Sequence, residues 1–253
     1  CDEEGCRYEG VVFNEMLGDG SDHDSIVGRS SVSSLYPDTA YSFNSGGDPE
    51  QIIKLDYQQF VSFYSQFYHP SNAKLFLYGD LEVGEKLAYL DEHYLLHRGS
   101  LNVQSTVGES QMWERERAVS YTSPTENGEG RASNSVVWAW ATDKVTDSLA
   151  VVTLSTLVDI LLSNPAAPLY KAILESGIGD DISPESGMSG DYLQMPVIIG
   201  FKGIDTDRAE EAGAFILDTL KHIIKKNLNK KLITSSLKRA RFKLLERQNN
   251  QLL

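Results

Sequence analysis

The sequence predicts an α+β protein in which antiparallel sheets carry helices packed on one face. Apolar runs typical of strands and amphipathic segments typical of helices follow one another without the regular β-α-β alternation of parallel sheets. The chain has 253 residues, of which 41% are hydrophobic and 23% charged, as in soluble globular proteins. This length is sufficient for one large domain or two ordinary domains, with sizeable cores.

We place the domains at residues 1–103 and 119–253, joined by a linker at 104–118. The stretch from Leu101 to Arg117 is polar and has no hydrophobic periodicity, which is typical of a linker. Residues 119–122 would open the second domain.

In the first domain, helix-capping residues and hydrophobic periodicity predict most of the secondary structure. Ser21 or Asp22 can cap a helix that runs toward Leu35, and Asp56 can cap an amphipathic helix. The apolar stripe of that second helix predicts core packing. It consists of Tyr57, Phe60, Val61, Tyr64 and Phe67 or Tyr68. Residues 73–78 read as a buried strand and residues 82–96 as another helix.

The second domain should contain three strands and four helices. The predicted strands cover residues 135–141, 182–189 and 192–203, and the predicted helices cover residues 148–162, 165–175, 207–227 and 232–253. The last helix is basic, with Lys238, Arg239, Arg241, Lys243 and Arg247. Because the rest of the chain is rich in acidic residues, a solvated face is favoured over a nucleic-acid or membrane site.

Glu15 is the main candidate for a functional residue. If residues 8–17 are helical, Tyr8, Val11, Val12 and Glu15 share one face, so the carboxylate stands among large apolar side chains. A buried carboxylate usually has a cationic partner, a raised pKa or a metal ion. The alternative is an ordinary glutamate at the edge of an apolar face, with its carboxylate in water.

The charge of the chain also limits its partners. The net charge is −13, and residues 1–103 account for −11 of it, with 6 Lys and Arg against 17 Asp and Glu. Such acidity argues against nucleic acid and favours cationic ligands, although a merely solvated acidic surface is an equal alternative. Since no run of eighteen apolar residues exists, we expect no membrane span. The spacing of Cys1 and Cys6 favours two reduced thiols.

The histidines give no complete zinc site. None of them belongs to a His-x-x-Glu-His arrangement. His93 and His97 have the i, i+4 spacing of a zinc pair, but no acid lies between them and a favourable interaction with the end of a helix explains them better. His23, among acidic residues, is assigned to a surface capping segment.

Several blocks of sequence together resemble one family. They are Gly10–Gly18, Leu35–Tyr41, Ser45–Pro49, Phe67–Gly79 and, in the second half, Pro168–Gly177. In this order they resemble the inverted-zinc-motif peptidases of the pitrilysin and insulinase class, family M16, and within it the presequence protease and falcilysin branch. The resemblance implies a duplicated α+β fold, of which the second copy here would be incomplete at its C-terminus.

The resemblance also implies roles. In that family a His-x-x-Glu-His helix provides two zinc ligands and the general base, and a later glutamate, here Glu15, is the third ligand. Three protein ligands leave the fourth zinc position for water. The chain would then be an internal piece of a zinc metalloendopeptidase, with its general base upstream, and inactive and free of zinc by itself. The alternative is a non-catalytic core or processing subunit of the same fold.

For the longer protein, the resemblance implies unstructured peptide substrates, including basic ones, and a location in a mitochondrion or a mitochondrion-derived organelle. The other partner would be the rest of its own chain, namely the upstream zinc-motif domain and the C-terminal half.

Residues 181–195 carry glycines within a strand pattern, together with Pro184, and this combination is typical of an edge strand. An open edge can bind an extended peptide as an additional strand. By a loose resemblance to the substrate exosite of insulin-degrading enzyme, Ser186, Gly187, Met188 and Ser189 are candidates for substrate binding. A hairpin with an irregular turn is the alternative.

Overall fold

The computed structural model describes residues 8–123 and 134–250, with side chains as far as residue 246. The chain divides into two compact units. The first unit comprises Cys1–Glu9 and Gly47–Val107, and the second comprises Gly10–Gly46 and Gly108–Leu253. The two cysteines lie outside the described residues. The domain boundaries predicted from the sequence stay a prediction.

The helices in the described part of the chain are α1 Val11–Asp19, α2 His23–Leu35, α3 Pro49–Ile52, α4 Tyr57–Phe67, α5 Val83–Leu90, α6 Ser148–Leu162, α7 Pro168–Glu175, α8 Ala209–Lys226 and α9 Lys230–Asn250. The strands are β1 Ser135–Lys144, β2 Asp181–Ile182, β3 Gly187–Met188 and β4 Gln194–Lys202. Helix α5 continues into a π-helical turn, Asp91–Leu95.

The first unit contains helices α3 to α5, and local signals explain how they begin. Asp56 caps α4 as predicted: its Oδ1 accepts the Gln59 N–H at 2.8 Å, and Gln59 Oε1 accepts the Asp56 N–H at 3.0 Å. This reciprocal capping box satisfies two N–H groups that the helix leaves free.

Two expectations about burial in the first unit are wrong. The aromatic stripe of α4 is exposed rather than packed, with Tyr57 82%, Phe60 63% and Tyr64 54% accessible. Residues 73–78 form no strand, and Phe76 is 85% exposed. A strand exists only when a neighbour accepts its backbone hydrogen bonds, and the described residues of this unit provide no strand beside this segment.

The second unit is built on an antiparallel sheet. β1 pairs with β4 over most of its length, so that Val136 lies opposite Phe201 and Ala141 opposite Pro196. β2 and β3 pair one after the other along the opposite side of β4, which gives the order β1-β4-β2. The predicted α+β class with an antiparallel sheet is confirmed, although the predicted strand 182–189 is two short strands separated by a turn.

Helices cover both faces of this sheet. Because side chains alternate along a strand, Val136, Trp138 and Trp140 of β1 face the main core, whereas Ala139 and Ala141 face α2. The main core is formed by β4 with α6, α7 and α8. Its fully buried side chains include Leu169, Ile173, Phe201, Ile204 and Ile216.

Helix α2 belongs to the second face through Val32, Leu35 and Tyr36, which are buried against β1. The Tyr36 hydroxyl donates a 2.6 Å hydrogen bond to the carbonyl oxygen of Gln194 at the start of β4. Helix α2 falls within the predicted first domain, residues 1–103, and it packs on the sheet formed by residues 135–202.

The polar stretch predicted to be a linker contacts the second unit around Ser110. Ser110 is buried, its N–H donates to Gln194 Oε1 at 2.7 Å, and its carbonyl accepts from Gln194 Nε2 at 3.3 Å. The Gln111 N–H donates to Asp38 Oδ2 at 3.2 Å. A buried side-chain amide therefore pairs with the main chain here as a neighbouring strand would.

Helix α9 packs against α6 through Ser236, while most of its basic face is exposed, as predicted. In the described part of the chain, no helix is both long enough and apolar enough to cross a membrane.

Candidate functional site

Glu15 lies on α1, the first helix of the second unit, and its side chain is exposed. The structure shows no hydrogen bond or ion pair from its carboxylate to any described residue. The helix is confirmed, but it begins at Val11, so Tyr8 precedes it. The remaining face is Val11, Val12 and Glu15.

The expectation that this face is buried is wrong for the described part of the chain. Val11 is 86% exposed and Val12 54%. The apolar side chains beside Glu15 are present as predicted, but no described residue covers them. The carboxylate is therefore available as a ligand rather than desolvated.

The C-terminal turn of α1 contacts the residues that follow it. Asp19 forms an ion pair with Arg29 of α2, and its Oδ2 accepts a 3.3 Å hydrogen bond from Asn44 Nδ2. Met16 lies against Gly46, where a Cβ atom would fall only 2.1 Å from the Met16 sulfur. Because Glu15 precedes Met16 and stands one turn before Asp19, these contacts are close to it along the helix.

The histidines do not join Glu15 in a metal cluster. His93 packs on the ring of Tyr89, with centroids 4.2 Å apart, and His97 lies in the turn after the π-helical segment. His23 bridges two serines: its Nδ1 is 2.8 Å from Ser123 Oγ and its Nε2 is 2.9 Å from Ser135 Oγ. Within the described residues, no group of three His, Cys, Asp or Glu side chains could hold a metal ion.

The second candidate, Ser186–Ser189, includes β3 at an edge of the sheet. A cavity of about 310 Å³ lies between β3 and α6. Val158, Leu162 and Met188 give it apolar walls, and Gly187 and Ser155 keep it open. The Ser186 side chain is directed toward β4, where its Oγ accepts a 3.1 Å hydrogen bond from the Gly200 N–H.

The backbone of β3 has one free side within the described structure. Ser189 donates its N–H to the Pro196 carbonyl at 3.2 Å, and Met188 pairs with Val197. Because successive N–H groups of a strand point in opposite directions, the Met188 N–H points away from β4. This is the geometry that an additional strand requires.

Asp159 is the charged group of the cavity. Burial alone would raise the pKa of its carboxyl, but hydrogen bonds from Arg239 and Ser236 outweigh burial and lower that pKa. Ser236 Oγ donates to Asp159 Oδ2 at 2.5 Å. The carboxylate therefore stays ionised at neutral pH, and its ion pair with Arg239 offsets its charge.

Glu185, next to Ser186, lies against α2. A Cβ atom added at Gly28 would fall 2.4 Å from Glu185 Oε2, so a glycine at that point lets the carboxylate approach the helix. Burial raises the pKa of Glu185, and the nearby carboxylates of Asp24 and Asp22 raise it further. Asp24 is itself paired with Lys202 Nζ at 2.8 Å.

Comparison with protein families identifies the lineage. A family model described as the peptidase M16 inactive domain matches residues 54–239. The chain belongs to the peptidase M16 family. The resemblance recognised in the sequence is thereby confirmed, including its branch, because curated presequence proteases are among the relatives.

Two M16 relatives illustrate the extent of the match. Protein HypA of Clostridium perfringens is 33% identical over 96% of this chain and 25% of its own length. Presequence protease 1 of Arabidopsis thaliana, described as chloroplastic and mitochondrial, is 33% identical over 98% of this chain and 23% of its own length. The chain thus spans about a quarter of the curated relatives that it matches.

Solved structures agree on the fold. A protease from Helicobacter pylori has a TM-score of 0.64 at 14% identity, and the match covers 93% of this chain and 56% of the other. A peptidase M16 inactive domain from Pseudomonas fluorescens also scores 0.64, at 13% identity, with coverage of 92% and 54%.

Sequence reasoning missed the contacts that organise these residues. Arg29 and Asn44 stand 10 and 25 positions from Asp19, and no local periodicity links them. The glycines at 28 and 46 were the only available signal, since a glycine often marks a close approach, but sequence alone does not name the approaching group.

Proposed function

We propose that this chain is part of a zinc metalloendopeptidase that degrades unstructured peptides, and that it supplies Glu15 as one zinc ligand. The observation that carries the proposal is the free carboxylate of Glu15 on an exposed helix, in a chain of the M16 family. A catalytic zinc needs three protein ligands and one open position. The described residues offer one suitable donor here, so two ligands would come from another part of the longer protein.

A zinc ion bound at such a site would polarise water and the scissile carbonyl. The chain's own contribution is to hold Glu15 in a fixed orientation on α1, beside the apolar surface of Val11 and Val12. We propose the rest of its own polypeptide as the partner that covers this surface and the exposed stripe of α4. Exposed aromatic side chains at several points of one unit are typical of a surface that another part of a protein covers.

The edge at β3 is the proposed binding surface for substrate main chain. An extended peptide could accept a hydrogen bond from the outward Met188 N–H and place alternate side chains in the cavity beside α6. Recognition through the main chain suits varied sequences.

The location that we propose, a mitochondrion or a related organelle, rests on relatives such as the presequence protease of Xenopus laevis, which is described as mitochondrial.

The test is Glu15→Gln in the full-length protein, with Glu210→Gln as the matched control on the exposed face of α8. The amide keeps the volume of the carboxylate but is an uncharged, poorer ligand. We expect Glu15→Gln to weaken zinc binding and peptidase activity by more than the roughly 10–100-fold loss typical of mutating residues that only contact a metal ligand. The circular dichroism spectrum should stay unchanged. The Glu210 variant should keep both zinc and activity. Full zinc content and activity in Glu15→Gln would rule out this role.

The isolated chain of 253 residues provides a second measurement. Because a single carboxylate is far short of a zinc site, we expect it to bind zinc no more tightly than an unrelated protein of the same net charge in a chelator competition. A stoichiometric zinc ion held by Glu15 with His93 and His97 would contradict the assignment.

The edge strand is tested by Met188→Pro, with Met188→Leu as control. Proline removes the outward N–H without removing a donor to β4, so the KM for long peptides should rise while the fold survives. The leucine variant keeps the N–H and should behave as wild type. An unchanged KM in a folded Met188→Pro protein would exclude peptide binding at this edge.

A non-catalytic M16 subunit is the second candidate function. It is favoured by the description of the matched family model and of the Pseudomonas fluorescens structure, both of which are named for the inactive domain. The sequence upstream discriminates between the two. A His-x-x-Glu-His motif within one domain length, about 100 residues before Glu15, supports the enzyme, and its absence there supports the non-catalytic subunit.

A further inference from the structure

Helix α1 is short and lacks a buried side chain. It has nine residues, and none of them is buried in the structure. Isolated helices of this length are unstable in water, so contacts with the surrounding structure must maintain it. Apolar packing of Val11 and Val12 does not do this within the described residues, since both are exposed.

Polar contacts attach the C-terminal turn of α1 to the residues that follow it. We define the α1 clasp as Arg29, Asn44 and Gly46. Arg29 pairs with Asp19, Asn44 Nδ2 reaches both Asp19 Oδ2 at 3.3 Å and Met16 Sδ at 3.9 Å, and Gly46 admits the Met16 side chain.

The sequence supports the importance of the ion pair. Asp19 is the last residue of α1, where the helix dipole disfavours a negative charge. A carboxylate at this position weakens the helix unless a cation neutralises it. Arg29 provides that cation, and the side chains of both partners are about one-third exposed, so solvent screens the pair only in part.

The clasp is connected to the sheet. Arg29 lies on α2 one turn before Val32, which is buried against β1 together with Leu35. The Tyr36 hydroxyl ties the end of α2 to β4. A continuous set of contacts therefore leads from the sheet through α2 and Arg29 to the C-terminal turn of α1, which directly follows Glu15.

We propose that the α1 clasp positions Glu15. In this view Arg29, Asn44 and Gly46 fix the direction in which α1 presents the Glu15 carboxylate, and the sheet of residues 135–202 is part of the scaffold of that ligand. The inference rests on the proposed function, in which Glu15 binds zinc. Metal ligands must stand within about 0.2 Å of ideal distances, so a helix that frays at this turn would bind the ion less tightly.

The experiment uses the full-length protein with four variants. Arg29→Gln leaves Asp19 unpaired, Arg29→Lys keeps the charge, and Asp19→Asn removes both the pair and the unfavourable charge. Lys221→Gln is the matched control, because it breaks an exposed ion pair with Asp218 on α8. Hydrogen exchange of residues 11–19 and the zinc dissociation constant, measured by chelator competition, are the two readouts.

For Arg29→Gln we expect α1 amides to exchange about fivefold faster and zinc to bind about fivefold more weakly, the upper range for a partly exposed pair. Asp19→Asn should change both quantities less, because the helix dipole no longer opposes a charge. Arg29→Lys should stay near wild type, and Lys221→Gln should change neither readout.

Unchanged exchange of α1 in Arg29→Gln would overturn the clasp. Faster exchange with unchanged zinc affinity would overturn its positioning role. If Glu15→Gln keeps its zinc, the proposed function fails instead, and the exchange rates of α1 in Arg29→Gln still decide whether the clasp holds the helix.

Discussion

The buried hydroxyl of Tyr36 should stabilise the second unit, because it joins α2 to the sheet. Tyr36 is 1% exposed and donates to the Gln194 carbonyl at 2.6 Å. Tyr36→Phe removes the donor but keeps the ring, which stacks on Tyr192 at 6.0 Å between centroids. The buried carbonyl then lacks its partner, which costs about 1–3 kcal/mol of unfolding free energy.

The matched control is Tyr121→Phe. Its hydroxyl is 3.0 Å from Ser34 Oγ, also on α2, but Tyr121 is 55% exposed, so water replaces the lost hydrogen bond. We expect a loss of no more than about 0.5 kcal/mol. Urea titrations followed by tryptophan fluorescence would measure both, since Trp138 and Trp140 lie in β1. Equal losses for the two variants would refute the reasoning.

The same hydroxyl predicts a pH dependence. Burial raises the pKa of Tyr36 well above the ordinary value of 10, and Tyr192 and Tyr41 add to the shift. Above pH 10 the unfolded chain releases this proton while the folded chain retains it. The folded state then binds more protons, so stability falls as pH rises beyond 10. Tyr36→Phe should lose this part of the alkaline dependence.

Two further predictions concern Glu185 and Gly213. Burial raises the pKa of Glu185 above 4.5, so the folded state binds more protons than the unfolded chain just above that pH, and its stability falls as pH rises. Glu185→Gln should therefore unfold at a higher urea concentration than wild type at pH 7, and the difference should vanish below about pH 4. A variant that is less stable than wild type at pH 7 would contradict this. In Gly213→Ala the new Cβ would lie 2.7 Å from Trp138 Cζ2, so we expect thermal unfolding to show a loss of stability of about 1–3 kcal/mol. Gly84→Ala on α5 is the control and should cost no stability, because nothing lies within 4 Å of its Cβ. Equal effects of the two variants would show that the contact with Trp138 is easily relieved.

The elements that the sequence predicted correctly are those with local causes. The sequence predicts Asp56 as one helix cap and Ser21 or Asp22 as another, and Asp22 and Asp56 accept the backbone hydrogen bonds that define a cap. The strand at 135–141 and the helix at 148–162 follow from apolar runs that end at polar residues. Such signals act within four residues and do not depend on the remainder of the chain.

The candidate site was predictable only in part. The helix of Glu15 and the apolar residues beside it follow from 3.6-residue periodicity, and the edge position of β3 follows from glycine and proline within a strand pattern. The clasp at Arg29 and Asn44, and the bridge of His23 to Ser123 and Ser135, join residues between 10 and 112 positions apart. Only the folded backbone brings these side chains together.

The wrong predictions share one physical cause. In α1, in α4 and at residues 73–78, an apolar pattern correctly indicates which side chains a sheet or helix would bury, but the described residues do not cover them. The sheet of residues 135–202 shows the opposite case, because α2 covers one face, helices α6 to α8 the other, and its apolar residues are buried. An amphipathic pattern thus shows which side chains need to be covered, whereas their burial depends on whether the element that covers them is present. Glu15 belongs to the first group, so its proposed partners have to be sought outside the described residues.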